Sequence, residues 1–143
     1  MPRTPILNQR KDKMKHISAV LAALLIIISF SCYSVPKSVP ENLSKEELVQ
    51  LAQDSYDGGN EKASEFYYNT IIERFGDDLG TRIAALFEIA HMKIKAEKWD
   101  DARPILNEII AYFDAPDSAL TLPQEYKKLA IIDWKKLPEN SAL

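Results

Sequence analysis

The sequence predicts an all-α chain: two helical hairpins and a C-terminal capping helix, preceded by a short apolar N-terminal helix. Three observations carry this reading. From Ser44 onward, apolar residues recur at helical spacing. A pattern of apolar and small residues returns after 38 positions with no gap. Residues 17–30, ISAVLAALLIIISF, run for fourteen positions without a charge.

The bulk composition sets the limits. With 143 residues, 46% hydrophobic and 27% charged, the chain suits one globular domain with a modest core. The net charge of −3 is unevenly spread. Residues 1–31 hold Arg3, Arg10, Lys11, Lys13 and Lys15 against Asp12, which leaves 13 basic and 20 acidic residues, net −7, in the remainder. An acidic domain is a poor candidate for nucleic acid, where affinity rests on basic contacts to phosphate. A single cysteine forbids an intramolecular disulfide and argues against a cysteine-built zinc site.

The N-terminus has the order of a secretory signal, a basic stretch followed by a short apolar stretch. As a helix the apolar run spans about 21 Å at ~1.5 Å per residue. A hydrocarbon core is about 30 Å thick, which favours a signal peptide at residues 1–31 over a stable span. Met14 offers an alternative start, since MKHISAVLAALLIIISFSC is a compact signal by itself. Ser31-Cys32 directly after the apolar run resembles the lipobox of bacterial lipoproteins, with a small residue before the cysteine. Ser29 stands where a leucine is usual, and Phe30 is bulky for its place. The resemblance implies a diacylglycerol on the thiol of Cys32, cleavage just before it, and acylation of the new amine. Each buried methylene of such chains contributes about 0.8 kcal/mol of membrane affinity. Residues 32–43 then read as the acylated cysteine and a Pro/Ser spacer, because its Val-Pro pairs disfavour helix.

The helical domain is expected over residues 44–137. Ser44-Lys45-Glu46-Glu47 is a capping box, and Leu48, Leu51, Ala52 and Ser55 continue it at helical spacing. Gly58-Gly59-Asn60 breaks that helix. A second helix runs from about Glu61 to Phe75, ended by Gly76-Asp77-Asp78. Shifted by 38, Leu48, Leu51 and Ala52 fall on Leu86, Ile89 and Ala90; Ser64 falls on Ala102; and NTIIERF falls on NEIIAYF. Tyr126, Leu129 and Ala130 open a third, partial copy. Thr121-Leu122-Pro123-Gln124 reads as a further capping box, with the last helix running to about Leu137 and residues 138–143 as a tail.

These positions resemble the tetratricopeptide repeat (TPR). In that family a large residue, a leucine and a small residue open the first helix of each hairpin, and a small residue follows twelve positions later. Ala52 and Ala90 supply the first small site, Ser64 and Ala102 the second, and Trp99 an aromatic just before it. The chain departs from the pattern at Ser55 and Lys93, where a tyrosine is usual, and at Gly76 and Asp114, where a proline is. The resemblance implies a short α-α superhelix whose first helices build a concave, partner-binding face. On that face it places Val49, Gln53 and Tyr56 from the first hairpin. From the second it places Phe87, His91, Ile94 and Lys95.

No catalytic constellation is legible. His91 is the one histidine outside the signal segment, no phosphate-cradling glycine loop exists, and Asp77-Asp78 and Asp100-Asp101 read as helix-start carboxylates. The expectation is a non-enzyme with no metal and no cofactor beyond the acyl lipid on Cys32. It would be a membrane-anchored lipoprotein on the periplasmic or outer-surface side of a bacterial envelope, binding a protein or peptide partner and no nucleic acid. The alternative is a periplasmic small-ligand-binding or transport-accessory component.

Overall fold

Ser44 caps the first helix as its spacing predicts. Its hydroxyl accepts from the Glu47 amide at 3.2 Å, while Glu47 Oε2 accepts from the Ser44 amide at 2.8 Å. The structure, a computed structural model, describes residues 34–114 and 121–139. The expected signal segment 1–31, Met14 and Cys32 lie outside the described residues, as do residues 140–143 of the tail. Five helices and no strand occur among the described residues: α1 (Lys45–Asp57), α2 (Glu61–Phe75), α3 (Leu79–Lys95), α4 (Trp99–Asp114) and α5 (Gln124–Trp134). None of them is long and apolar enough to cross a membrane.

Each helix packs on the next, and α3 also packs on α5. Asn60 caps α2 by accepting from the Ala63 amide, and Asp78 caps α3 by accepting from the Thr81 amide, both at 3.1 Å. The 38-residue register reappears in the backbone. After α1, Gly58 N–H donates to Asp54 O, Gly59 to Tyr56 O and Asn60 to Ser55 O. After α3, Ala96 donates to Met92 O, Glu97 to Ile94 O and Lys98 to Lys93 O, the same three bonds 38 positions on. Gly59 (φ 81°) and Glu97 (φ 57°) hold the same left-handed place in the two turns. Glycine takes it without penalty, whereas Glu97 carries the strain of its Cβ.

Two cores share α3. Leu48, Ala52, Tyr68 and Ile71 pack on Ala85, Ile89 and Met92 from one side of it. Leu86, Phe87, Ala90 and Ile94 pack on α4, α5 and Leu122 from the other. Ten of the 17 residues of α3 are therefore buried, more than in any other described helix. At the tightest contacts Ala52, Ser64, Ala90, Ala102 and Ala130 are all 0% exposed, so methyl and hydroxymethyl groups let the helices approach closely. Lys93, one of the departures from the repeat pattern, is buried and ion-paired to Glu65 and Glu61 of α2. Lys98 joins Glu61 at 2.7 Å. A charge network thus ties α3 to α2.

The structure differs from expectation in three places. Residues 34–43 do not stand away as a spacer. Arg74 of α2 donates to the carbonyls of Val39 and Pro40 at 2.9 and 2.8 Å, and Val39 and Leu43 pack on the α1–α2 core. Extended Val-Pro backbone has free carbonyls, and a guanidinium fork can gather two of them. Thr121 does not begin a capping box at its expected place. Pro123 (φ −62°, ψ 105°) occupies the N-cap of α5 and has no side chain to cap with, while Gln124 donates to Leu122 O instead. Finally, α5 ends at Trp134, short of the expected Leu137, where Lys136 and Leu137 N–H donate to Asp133 O and Trp134 O in tighter i→i−3 turns. Arg103 of α4 stacks over Trp134 at 5.2 Å and donates to Pro138 O at 3.0 Å, fastening this end.

Ala90→Leu would force extra methylenes between α3 and its neighbours. We expect a loss of about 1–3 kcal/mol in urea unfolding, and no loss would show that close approach is dispensable there.

Candidate functional site

A groove opens between α1 and α3, whose backbones do not approach each other as α3 and α5 do. Side chains bridge the gap instead: Lys45 Nζ reaches Thr81 Oγ1 at 3.4 Å. The groove contains two adjoining cavities of about 230 and 320 Å³ that share Gln53, Tyr68 and Glu88. The first has apolar walls from Val49, Ile71, Ala84 and Ala85, with Tyr126 of α5 closing it. Tyr56, Ser64, His91, Met92 and Lys95 line the second.

Of the residues predicted for a binding face, Val49, Gln53, Tyr56, His91 and Lys95 line this groove. Phe87 and Ile94 do not. They are 6% and 5% exposed and belong to the core that α3 shares with α4 and α5. The reason is angular. At about 100° per residue, Ala84, Glu88, His91 and Lys95 form one narrow stripe, while Phe87 and Ile94 fall some 60–80° round the helix. There α5 covers them, and Tyr126 lies tilted on Phe87 at 5.8 Å. Val49 and Tyr56, their counterparts 38 positions earlier, stay accessible because α1 and α3 stand apart. Sequence reasoning missed Glu88, Tyr68 and Tyr126. The i, i+3, i+4 stripe through His91 would have found Glu88, whereas Tyr126 enters only through the packing of α5.

His91 is held from two sides. Its ring stacks on Phe87 at 5.5 Å, and its Nδ1 meets Asp133 Oδ2 at 2.6 Å. A carboxylate only accepts, so Nδ1 carries the proton and the Nε2 edge is left outside this pair. Asp133 is 2% exposed and also receives Lys136 Nζ at 2.6 Å on Oδ1. The His91–Asp133 contact fastens α5 to α3. Lys95 Nζ lies 5.5 Å over the Tyr56 ring, a cation–π contact at the open end of the groove.

Glu88 is half-buried, and burial pushes its carboxyl above the usual carboxylate range, with His91 and Lys95 pulling the other way. Burial, helped by the Glu88 charge, pushes the Tyr68 hydroxyl up to about 12. The same two causes raise Tyr126. Both phenols therefore stay protonated near neutral pH. The Ser64 hydroxyl, buried at the wall of the second cavity, has no hydrogen-bond partner. No hydroxyl is hydrogen-bonded to His91 among the described residues, and no three His, Cys, Asp or Glu side chains among them gather as a metal site. The groove walls carry apolar side chains, hydroxyls, one half-buried carboxylate and an oriented imidazole.

Comparison with known proteins gives one informative match. The chain is 37% identical over 132 residues to an uncharacterized protein of Treponema pallidum (strain Nichols). The match covers 90% of this chain and 52% of that protein, so the chain spans about half the relative's length. No protein-family model matches the chain, and no solved structure matches it significantly.

Asp133→Ala would leave His91 and Lys136 without their acceptor. We expect a loss of about 2 kcal/mol and faster amide hydrogen exchange across α5. Unchanged exchange there would mean that apolar packing alone holds the helix.

Proposed function

We propose that this chain is a membrane-anchored, TPR-like lipoprotein that acts as a protein–protein interaction adaptor in a bacterial cell envelope. The observation that carries the reading is the repetition of one hairpin in three respects at a single 38-residue offset. Sequence pattern, buried small residues and turn hydrogen bonds all recur together. Stacked hairpins of this kind bury a continuous core and leave a binding surface along their first helices. The groove between α1 and α3 lies on that surface. The apolar run before Ser31-Cys32 supports the anchor, and a relative from a bacterium agrees with a bacterial envelope.

The docked segment bears on how such an adaptor would sit. With residues 34–43 held along α2, only Tyr33 separates Cys32 from a fixed part of the domain. A residue spans at most ~3.6 Å, so an acylated Cys32 would hold the domain close to its membrane instead of on a long leash. A second reading, small-ligand binding or transport assistance, draws on the cavities, the larger of which, at about 320 Å³, falls at the lower end of ligand-pocket sizes.

Metabolic labelling with a clickable fatty acid should tag the wild type, and equal labelling of Cys32→Ala would sink the anchor. A photoreactive residue at the exposed Gln53, which lines both cavities, should crosslink in cells to one specific protein. Adducts confined to small molecules would favour the second reading.

A further inference from the structure

Most carboxylates near the groove are already engaged. Glu61 and Glu65 serve Lys93 and Lys98, and Asp133 serves His91 and Lys136. Glu88 is different. Half-buried at the wall shared by the two cavities, it makes no hydrogen bond or ion pair among the described residues. The basic side chains nearby act on it through space but bond elsewhere: His91 Nδ1 to Asp133, Lys95 over the Tyr56 ring, and Lys45 to Thr81 and Glu46. Beside Glu88 stand the hydroxyls of Tyr68 and Tyr126, neither hydrogen-bonded among the described residues. Tyr68 is 4% exposed and lines both cavities, and its hydroxyl is not sealed from solvent. A half-buried carboxylate with no bonded donor gains from a charged donor that joins it.

We propose that the groove binds an extended segment of a partner protein by seating one lysine or arginine side chain in the 230 Å³ cavity. Its cationic head lies against Glu88 and donates to the hydroxyl oxygens of Tyr68 and Tyr126. Its methylenes lie on Val49, Ile71 and Ala85. The cavity takes a single long side chain, whereas drug-sized ligands fill roughly 300–1,000 Å³. The net charge of −7 outside the first 31 residues steers a basic segment towards the domain. The idea rests on the adaptor reading and gives that adaptor's partner a chemistry.

The test titrates three pentapeptides, acetyl-Ala-Ala-X-Ala-Ala-amide with X as lysine, norleucine or glutamate, into the full chain in detergent micelles. Amide chemical shifts of groove residues provide the readout. The lysine peptide should bind at least about tenfold more tightly than the norleucine peptide. Glu88→Gln should erase that preference while leaving norleucine binding and the thermal melt unchanged. Tyr126→Phe should reduce it in part, and Glu88→Lys should turn it towards the glutamate peptide. Equal binding of the lysine and norleucine peptides overturns the role of Glu88 and leaves the adaptor groove standing. n-Butylamine binding as tightly as the lysine peptide overturns the peptide occupant. Absence of binding by any peptide overturns both this inference and the groove as the adaptor's contact surface.

Discussion

Where Ala52, Ala90, Ala102 and Ala130 sit, a methyl group is all that separates one helix from its neighbour, and none of the four is exposed. The rest of the architecture follows from that closeness. Helices brought together at their small residues present the larger ones, Leu48, Ile71, Leu106 and Ile109, into the spaces beside the contact. Dispersion is gained only at such short range, and a gap of half an ångström forfeits much of it. Because α3 receives neighbours on both sides, its sequence is apolar over most of its circumference. What remains for solvent is the stripe through Glu88, His91 and Lys95.

That stripe becomes a groove because the two sides of α3 are treated unequally. On one side, α5 is drawn in by the Asp133 contact with His91 and by the fit of Tyr126 on Phe87. On the other, α1 stands off and meets α3 through side chains. The Lys93 network fixes α3 to α2, so the floor of the groove is tied down by charge as well as by packing. The polar groups lining the groove are hydroxyls, a carboxylate and an imidazole whose proton is already placed.

Much of this was legible in the residues. The capping box at Ser44, the break at Gly58-Gly59-Asn60 and the small residues at a 38-position offset are local or periodic features, and local features survive into the fold. The misses have one physical character, dependence on what arrives from elsewhere in the chain. Phe87 and Ile94 share a repeat position with accessible residues of α1, but α5 buries them. Asp133 lies 42 positions from the histidine it orients. Val-Pro pairs read the same whether free or docked, and only Arg74 on a distant helix decides between the two. At Thr121 the letters of a capping box were present, but the proline within them became the cap residue itself.

The two walls of the groove are not equally secure. Helix α1 buries only Leu48 and Ala52, and across from it Ser64 carries an unsatisfied hydroxyl where the second hairpin has the methyl of Ala102. Local opening begins where buried apolar contact is thin, so of the two walls α1, with two buried residues against ten in α3, is the one that opens first. Any occupant bridging α1 and α3 adds its binding free energy to the weaker wall by mass action. The domain is thus built so that holding something and being fully folded are coupled, with the looser wall gaining the most.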